Sequence, residues 1–226
     1  AVAVDHLDVG QVEALVGQID RERGRLDILV NDIWGGDGRT EWGKRAWELD
    51  LERGLALLHT AIDTHIVTAR LALPLLLRAP AGLLVEVTDG DDLRYRDNLF
   101  YDLAKTQVMR LAFALAQELR GTKVTALAVT PGFMRSEAVL DHFGVSEATW
   151  REAIAQDPHF AESETPFFVG RAVAALAADA NVAERASKTW ASWTLARAYG
   201  FDDVDGRRPD WGAYFARTFP QPPVLP

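Results

Sequence analysis

The sequence predicts an α/β fold, a doubly wound parallel sheet with helices on both faces. Two observations carry this. Short apolar runs of strand length alternate with segments of helical period along the chain, and the residue following each run is polar or turn-forming. Alternation of this kind requires crossover helices between parallel strands, and ligands in such sheets bind beyond the strands' carboxyl ends.

Taken in order, "AVAVD" at 1–5 is a β-branched apolar run and the first expected strand. Asp8 then caps a helix, "VGQVEALVGQIDRERG", which Gly24 ends. "LDILVN" at 26–31 reads as a strand buried on both faces. A Gly-rich polar loop, "DIWGGDGRTEWG", leads to a long helical region over about 44–77. "GLLVEVT" at 82–88 is the next buried strand, followed by an acidic loop and a helix over 98–120. "KVTALAVT" at 123–130 is another strand, closed by Pro131-Gly132. Two or three helical stretches follow, and "SKTWASW" at 187–193 reads as a last strand. The segment from about 200 to 226 is expected to be a C-terminal tail, extended over "FPQPPVLP". No repeat or linker divides the chain, so residues 1–226 are expected to form a single domain.

Composition narrows the function. A formal net charge of -9 argues against nucleic acid or an anionic membrane as a partner. The longest apolar run, Leu71 to Leu77 between Arg70 and Arg78, is far short of a membrane span. "AVAVDHLDVG" lacks the basic start of a signal peptide, and the absence of cysteine removes disulfides and thiolate metal sites. A cytoplasmic protein is expected. The five histidines show no paired metal spacing, and neither "DGDD" at 89–92 nor "DDVDG" at 202–206 follows a calcium-loop pattern; both are read as turns.

The residues after the apolar runs are Asp5, Asn31, Thr88 and Thr130-Pro131-Gly132. Near them, "FYDLAKTQVMR" places Tyr101 and Lys105 four apart on one helix face, where a phenol and an ammonium can share a site. Trp34 and Phe133 are candidates for an apolar substrate pocket, and Tyr95 and Trp150 are weaker ones.

Together, "DHLD", "LDILVN", Thr88 thirteen residues before Tyr101, the YxxxK pair and "VTPGFMRS" resemble the short-chain dehydrogenase/reductase family, in its order and spacing. "NDIWGGD" and "LARAYGFDDVDGR" look most like its dehydrogenase/reductase member 1 group. The resemblance implies a Rossmann-like sheet and an NAD(P)-dependent oxidoreductase that moves a hydride between the nicotinamide and a small carbonyl or alcohol. It implies Tyr101 as the acid–base group and Lys105 as the cation that binds the nicotinamide ribose and lowers the phenol's pKa. Thr88 stands where a serine usually orients the carbonyl. Asp5 and Asn31 would contact the adenosine end, and Pro131, Gly132 and Ser136 the nicotinamide end. NADP is preferred over NAD by resemblance alone. Pairing through the helices at 44–77 and 98–120 would give a homodimer or homotetramer.

Three departures bear on this. Asn31-Asp32-Ile33-Trp34 replaces the usual Asn-Asn-Ala-Gly, and the usual relay asparagine falls at Ala61. The family's opening strand and Gly-rich turn have no counterpart, so the sequence is expected to be incomplete at its N-terminal side. The rival reading, which these departures favour, is a non-catalytic oligomeric binding or scaffolding protein of the same fold.

Overall fold

A computed structural model describes residues 1–219. Its centre is a four-stranded, all-parallel sheet in the order β1 (Ile28–Asn31), β2 (Gly82–Val87), β3 (Val124–Thr130), β4 (Thr189–Ala191). The β2–β3 register sets Leu84 beside Ala126 and Val85 beside Leu127, so side chains alternate between two cores. On one face Leu84 and Ala126 pack with Ala69 and Leu76 of α3 (Thr64–Leu76) and Ala116 of α4 (Leu99–Glu118). On the other, Leu83, Val85, Leu127 and Val129 meet Ala172 and Leu176 of α6 (Pro166–Ala178) and Leu195 of α7 (Ser192–Tyr199). Leu84, Leu127 and Leu195 are fully buried, each contributing about 1.5–3 kcal/mol.

The helix ends follow their local chemistry. The Asp8 carboxylate accepts from the Gly10 and Gln11 amides to start α1 (Val9–Arg23), and Gly24, at φ 72°, ends it. Asn98 starts α4 by accepting from the Phe100 and Tyr101 amides. Asp50 starts α2 (Leu51–Leu58), so the helical region expected from residue 44 begins at Leu51. α2 continues into α3 through one π-type turn, His59–Asp63, which contains Ala61. Here the Thr60 and Thr64 hydroxyls donate to the carbonyls of Ala56 and Thr60, a competition with the backbone ladder that accompanies the widened turn.

Three expectations are corrected. Ala1–Asp5 forms no strand: among the described residues β1 pairs only with β2, so the sheet offers the segment no neighbour to bond. For the same reason β1 is not buried on both faces. It is an edge strand, with Ile28 and Val30 42% and 44% exposed. Residues 200–219, expected to lie in a C-terminal tail, hold a helix packed on the site. After a turn at 204–206 they form α8 (Trp211–Thr218), capped by Asp210, whose Trp211, Tyr214 and Phe215 fall at helical spacing. The remainder of the expected tail, 220–226, lies outside the described residues. α5 (Glu137–Phe143) and short 3₁₀ turns at Trp150–Ala155 and Pro158–Glu162 occupy the connection from β3 to α6.

Candidate active site

A cleft of about 1220 Å³ opens at the carboxyl ends of β1, β2 and β3. That volume exceeds the ~300–1,000 Å³ of ordinary small-ligand sites and leaves room for two molecules side by side. Its floor is built by the strand ends, one side by α4, and the opposite side by α5 and α8.

The residues leaving each strand enter the cleft because the ladder stops there. Thr88 continues the β2 pairing through its amide to the Val129 carbonyl (2.9 Å). Gly90 follows in a left-handed conformation at φ 88°, and its amide donates to Thr130 Oγ1 (2.8 Å). Arg96 then ties the acidic loop down by donating to the carbonyls of Asp92 and Arg94 (both 2.8 Å). α4 begins just beyond, so Tyr101 sits in its first turn, above the β2 end.

Tyr101 and Lys105 both line the cleft, as their spacing requires. The Tyr101 hydroxyl donates to Asp89 Oδ2 (2.8 Å). Trp34 and Trp42 pack on its ring, at centroid distances of 5.5 and 4.9 Å. Lys105 Nζ lies over the Trp34 ring at 3.6 Å from its centroid, a cation–π contact. Burial lowers the Lys105 pKa from its ordinary value, opposed by the carboxylates of Asp89, Asp32 and Asp37. Asp32 is pushed the other way, its pKa raised by burial and partly restored by Lys105 and His65.

The phenol's acidity differs from expectation. Burial first, and then the Asp89 charge and hydrogen bond, raise the Tyr101 pKa far above its ordinary value. A carboxylate within hydrogen-bond reach opposes a phenolate more strongly than Lys105, whose charge faces Trp34, can favour one. Asp89 is therefore part of the site rather than a solvated turn. Its position directly after Thr88, at the end of the β2 run, was the available signal.

The other expected residues divide into two groups. Pro131, Gly132, Phe133 and Ser136 line the cleft, as do Trp34, Tyr95 and Thr88. The Thr88 hydroxyl, however, donates to the Lys105 carbonyl (2.7 Å), which fixes β2 to α4. Ser136 also caps α5, accepting from the Val139 amide. Asp5 and Asn31 lie away from the cleft. Asp5 accepts from the Leu7 amide in an exposed turn. Asn31 is buried and donates to the His65 carbonyl (3.1 Å) and toward Glu86 (3.4 Å). His65 Nδ1 meets the buried Glu86 carboxylate at 2.5 Å, and its Nε2 meets the Ile33 carbonyl at 2.8 Å, so this cluster anchors the loop that carries Asp32 and Trp34. Trp150 is buried against Phe160 beneath the site.

Sequence reasoning missed α8 as well as Asp89. Trp211 and Phe215 face the cleft; Arg94 of the acidic loop sits over the Phe215 ring (4.7 Å), and Tyr214 OH meets His159 Nδ1 (2.8 Å). Trp211 also closes the space behind Gly132, where a Cβ would lie 2.7 Å from Trp211 Cβ and 2.9 Å from Glu164 Oε2. Only a glycine leaves bare backbone at this point of the wall.

A family model described as Enoyl-(Acyl carrier protein) reductase matches residues 1–184. Dehydrogenase/reductase SDR family member 1 of Homo sapiens is 31% identical over 91% of this chain and 67% of its own length. The chain belongs to the short-chain dehydrogenase/reductase family. The Mus musculus member 1 protein is 32% identical over the same shares, so the chain spans about two thirds of the length of these curated relatives.

Solved structures of the same fold agree with the sheet. Aldohexose dehydrogenase of Thermoplasma acidophilum, in ligand-free form, superposes with a TM-score of 0.69 at 18% identity, over 84% of this chain and 75% of that one. ElxO with NADP bound gives 0.69 at 19%, over 85% and 77%. A short-chain dehydrogenase/reductase from Burkholderia xenovorans gives 0.55 at 22%, over 70% of this chain and 58% of that one. At these identities the likeness is one of fold.

Proposed function

We propose that this short-chain dehydrogenase/reductase transfers a hydride between a nicotinamide cofactor and a small carbonyl or alcohol substrate, with Tyr101 as the acid–base group. The carrying observation is that Tyr101 and Lys105, one helical turn apart, open on the same cleft as the Pro131-Gly132 backbone. Burial and Asp89 keep the phenol protonated, the state from which a carbonyl would be reduced.

The residues present fit the nicotinamide end of the cofactor. Gly132 offers a flat backbone wall with no room for a side chain, Ser136 stands beside it, and Lys105 supplies a cation in a half-apolar setting. When bound, the reduced nicotinamide supplies the hydride. Lys105 would hold the ribose, and Tyr101 would swing its hydroxyl from Asp89 to the substrate oxygen and release its proton there. The phenolate left behind would take a proton from solvent before its hydroxyl donates to Asp89 again. Trp34, Phe133, Trp211 and Phe215 would exclude water around the reacting carbon and take an apolar substrate body. NADP is the preferred cofactor, supported by the family resemblance and by the NADP in the like-folded ElxO. A single-domain chain, a cytoplasmic setting and a homodimer or homotetramer through α2 and α4 complete the reading; Leu51 and Leu55 of α2 and Leu103 of α4 are exposed there.

The rival is a non-catalytic member of the fold. The observation in its favour is that the Thr88 hydroxyl is engaged by the Lys105 carbonyl instead of facing the cleft. Replacing Tyr101 with Phe separates the two. Carbonyl-dependent NADPH oxidation should fall by about 10²-fold or more in the variant. Equal rates in both proteins would exclude Tyr101 as the acid, and no oxidation by the unaltered protein over a broad carbonyl panel would favour the rival.

A further inference from the structure

Glu164 is a buried carboxyl, 1% exposed, that the reaction above does not use. It lies behind the cleft wall, at the N-terminal end of α6. Its backbone is stitched to the Pro131-Gly132 turn: the Glu164 amide donates to the Phe133 carbonyl (2.9 Å), and the Arg135 amide to the Glu164 carbonyl (2.8 Å). The side chain bends back to the same turn. Glu164 Oε2 accepts from Ser192 Oγ (2.7 Å) at the start of α7 and lies against the Gly132 backbone, 2.9 Å from where a Cβ on that residue would stand, so the Gly132 amide favours the charged carboxyl. Among the described residues, Oε1 is buried with no hydrogen-bond partner.

We propose that Glu164 is a positioning residue: as a carboxylate it holds the Gly132 backbone in the shape that receives the nicotinamide, and on protonation it loosens that grip. The proposal rests on the nicotinamide reading of the cleft. An N–H bonded to a charged oxygen is roughly twice as strong as one bonded to a neutral acid. The Gly132 amide is therefore held tightly in one protonation state and weakly in the other. No side chain can steady the turn in its place, because a Cβ on Gly132 would collide with Glu164 and Trp211.

The carboxyl titrates where this matters. Burial pushes its pKa up to about 7, against the pull of the Ser192 and Gly132 hydrogen bonds. The charged groups facing it are Asp203, from the loop after α7, which opposes ionisation, and Arg135, from the β3-end loop, which favours it. Asp203 is itself fixed by bonds from the Thr165 amide and hydroxyl, and Arg135 by Glu147, Asp205 and Ser163. From α8, Trp211 presents only its apolar side chain behind Gly132.

The sign of the linkage makes the proposal specific. The folded-state pKa lies above the ordinary 4.5 of a glutamate, so the folded protein binds this proton more tightly than the unfolded chain. Glu164 thus makes the fold more stable as pH falls from about 7 toward 4.5, while its hold on Gly132 weakens over the same range. Stability and cofactor affinity should move in opposite directions.

The test is NADPH binding by fluorescence titration between pH 5.5 and 8.5, beside thermal melting over the same range, for the wild type and Glu164→Gln. Expected for the wild type is an NADPH Kd that rises several-fold as pH falls through about 7, while the melting temperature climbs. Glu164→Gln, a neutral isostere, should hold the low-pH Kd at every pH, lose this part of the melting slope, and keep its kcat at saturating NADPH. Comparing the two proteins isolates Glu164 from His159, which lines the same cleft. A Kd in Glu164→Gln that tracks the wild type overturns the proposal, even if the melting slope changes. Should Glu164→Gln fail to fold, Ser192→Ala serves: loss of the donor should move the midpoint of the Kd profile to higher pH, and an unmoved midpoint overturns the proposal. A wild type that binds no NADPH at any pH overturns the nicotinamide reading and this proposal with it, whereas binding without the pH dependence overturns this proposal alone.

Discussion

The Tyr101 hydroxyl donates a 2.8 Å hydrogen bond to Asp89 across the end of β2. The two residues stand twelve positions apart, and the bond couples the phenol proton to a carboxylate two residues beyond the strand. The pH dependence expected of the proposed reaction follows from this pairing.

Replacing Asp89 with Asn removes a charge that opposes ionisation of the phenol. Reduction needs Tyr101 protonated and is lost as pH rises through its pKa. The alkaline limb of kcat/KM for carbonyl reduction should therefore move to lower pH in Asp89→Asn, with activity retained near neutrality. A pH profile that does not move, measured with a fixed carbonyl and saturating NADPH, would show that Asp89 leaves the phenol's acidity alone.

Gly54 in α2 tests the packing under the site. Alanine in a helix interior is favoured over glycine by roughly 1 kcal/mol. Here, though, a Cβ would fall within the buried Phe100 ring of α4. Overpacking of this kind costs typically ~1–3 kcal/mol, so the steric effect should win. Gly54→Ala is expected to lower the melting temperature; a rise would mean that Phe100 has room to turn aside.

Trp211 should govern substrate size more than chemistry. It lines the cleft from α8 and packs against Phe133, at a centroid distance of 5.6 Å. Trp211→Ala is expected to raise KM for aryl ketones about tenfold, as for the loss of one to two kcal/mol of apolar contact. The kcat for a small aliphatic aldehyde should change little. A uniform loss for both substrates would point to collapse of the Gly132 turn instead.

The Tyr101–Lys105 pair was legible because helical spacing is a local property: two residues four apart share a face whatever surrounds the helix. The same holds for Asp8 and Gly24 at the ends of α1, and for the strands around Leu84 and Leu127, where apolar runs bounded by turns leave few alternatives. Ala1–Asp5 misled for the converse reason. Its residues favour a strand, but a strand needs a partner, and among the described residues β1 bonds only to β2. α8 was overlooked although Trp211, Tyr214 and Phe215 stand at helical spacing; the proline-rich residues after it suggested an extended tail.

The sequence by itself determined the fold class, the family and the face that carries Tyr101 and Lys105, since periodicity, caps and motif spacing act between neighbours along the chain. The tertiary structure decided what those residues meet. Asp89 reaches the phenol because Gly90 turns the chain at φ 88° beside Thr130. Thr88 bonds the Lys105 carbonyl because β2 runs beneath α4. Glu164 reaches Gly132 across 32 positions because β3 and α6 meet at one end of the sheet. Each is a contact between distant segments, and the electrostatics of a buried group depend on such contacts more than on the residue's own identity.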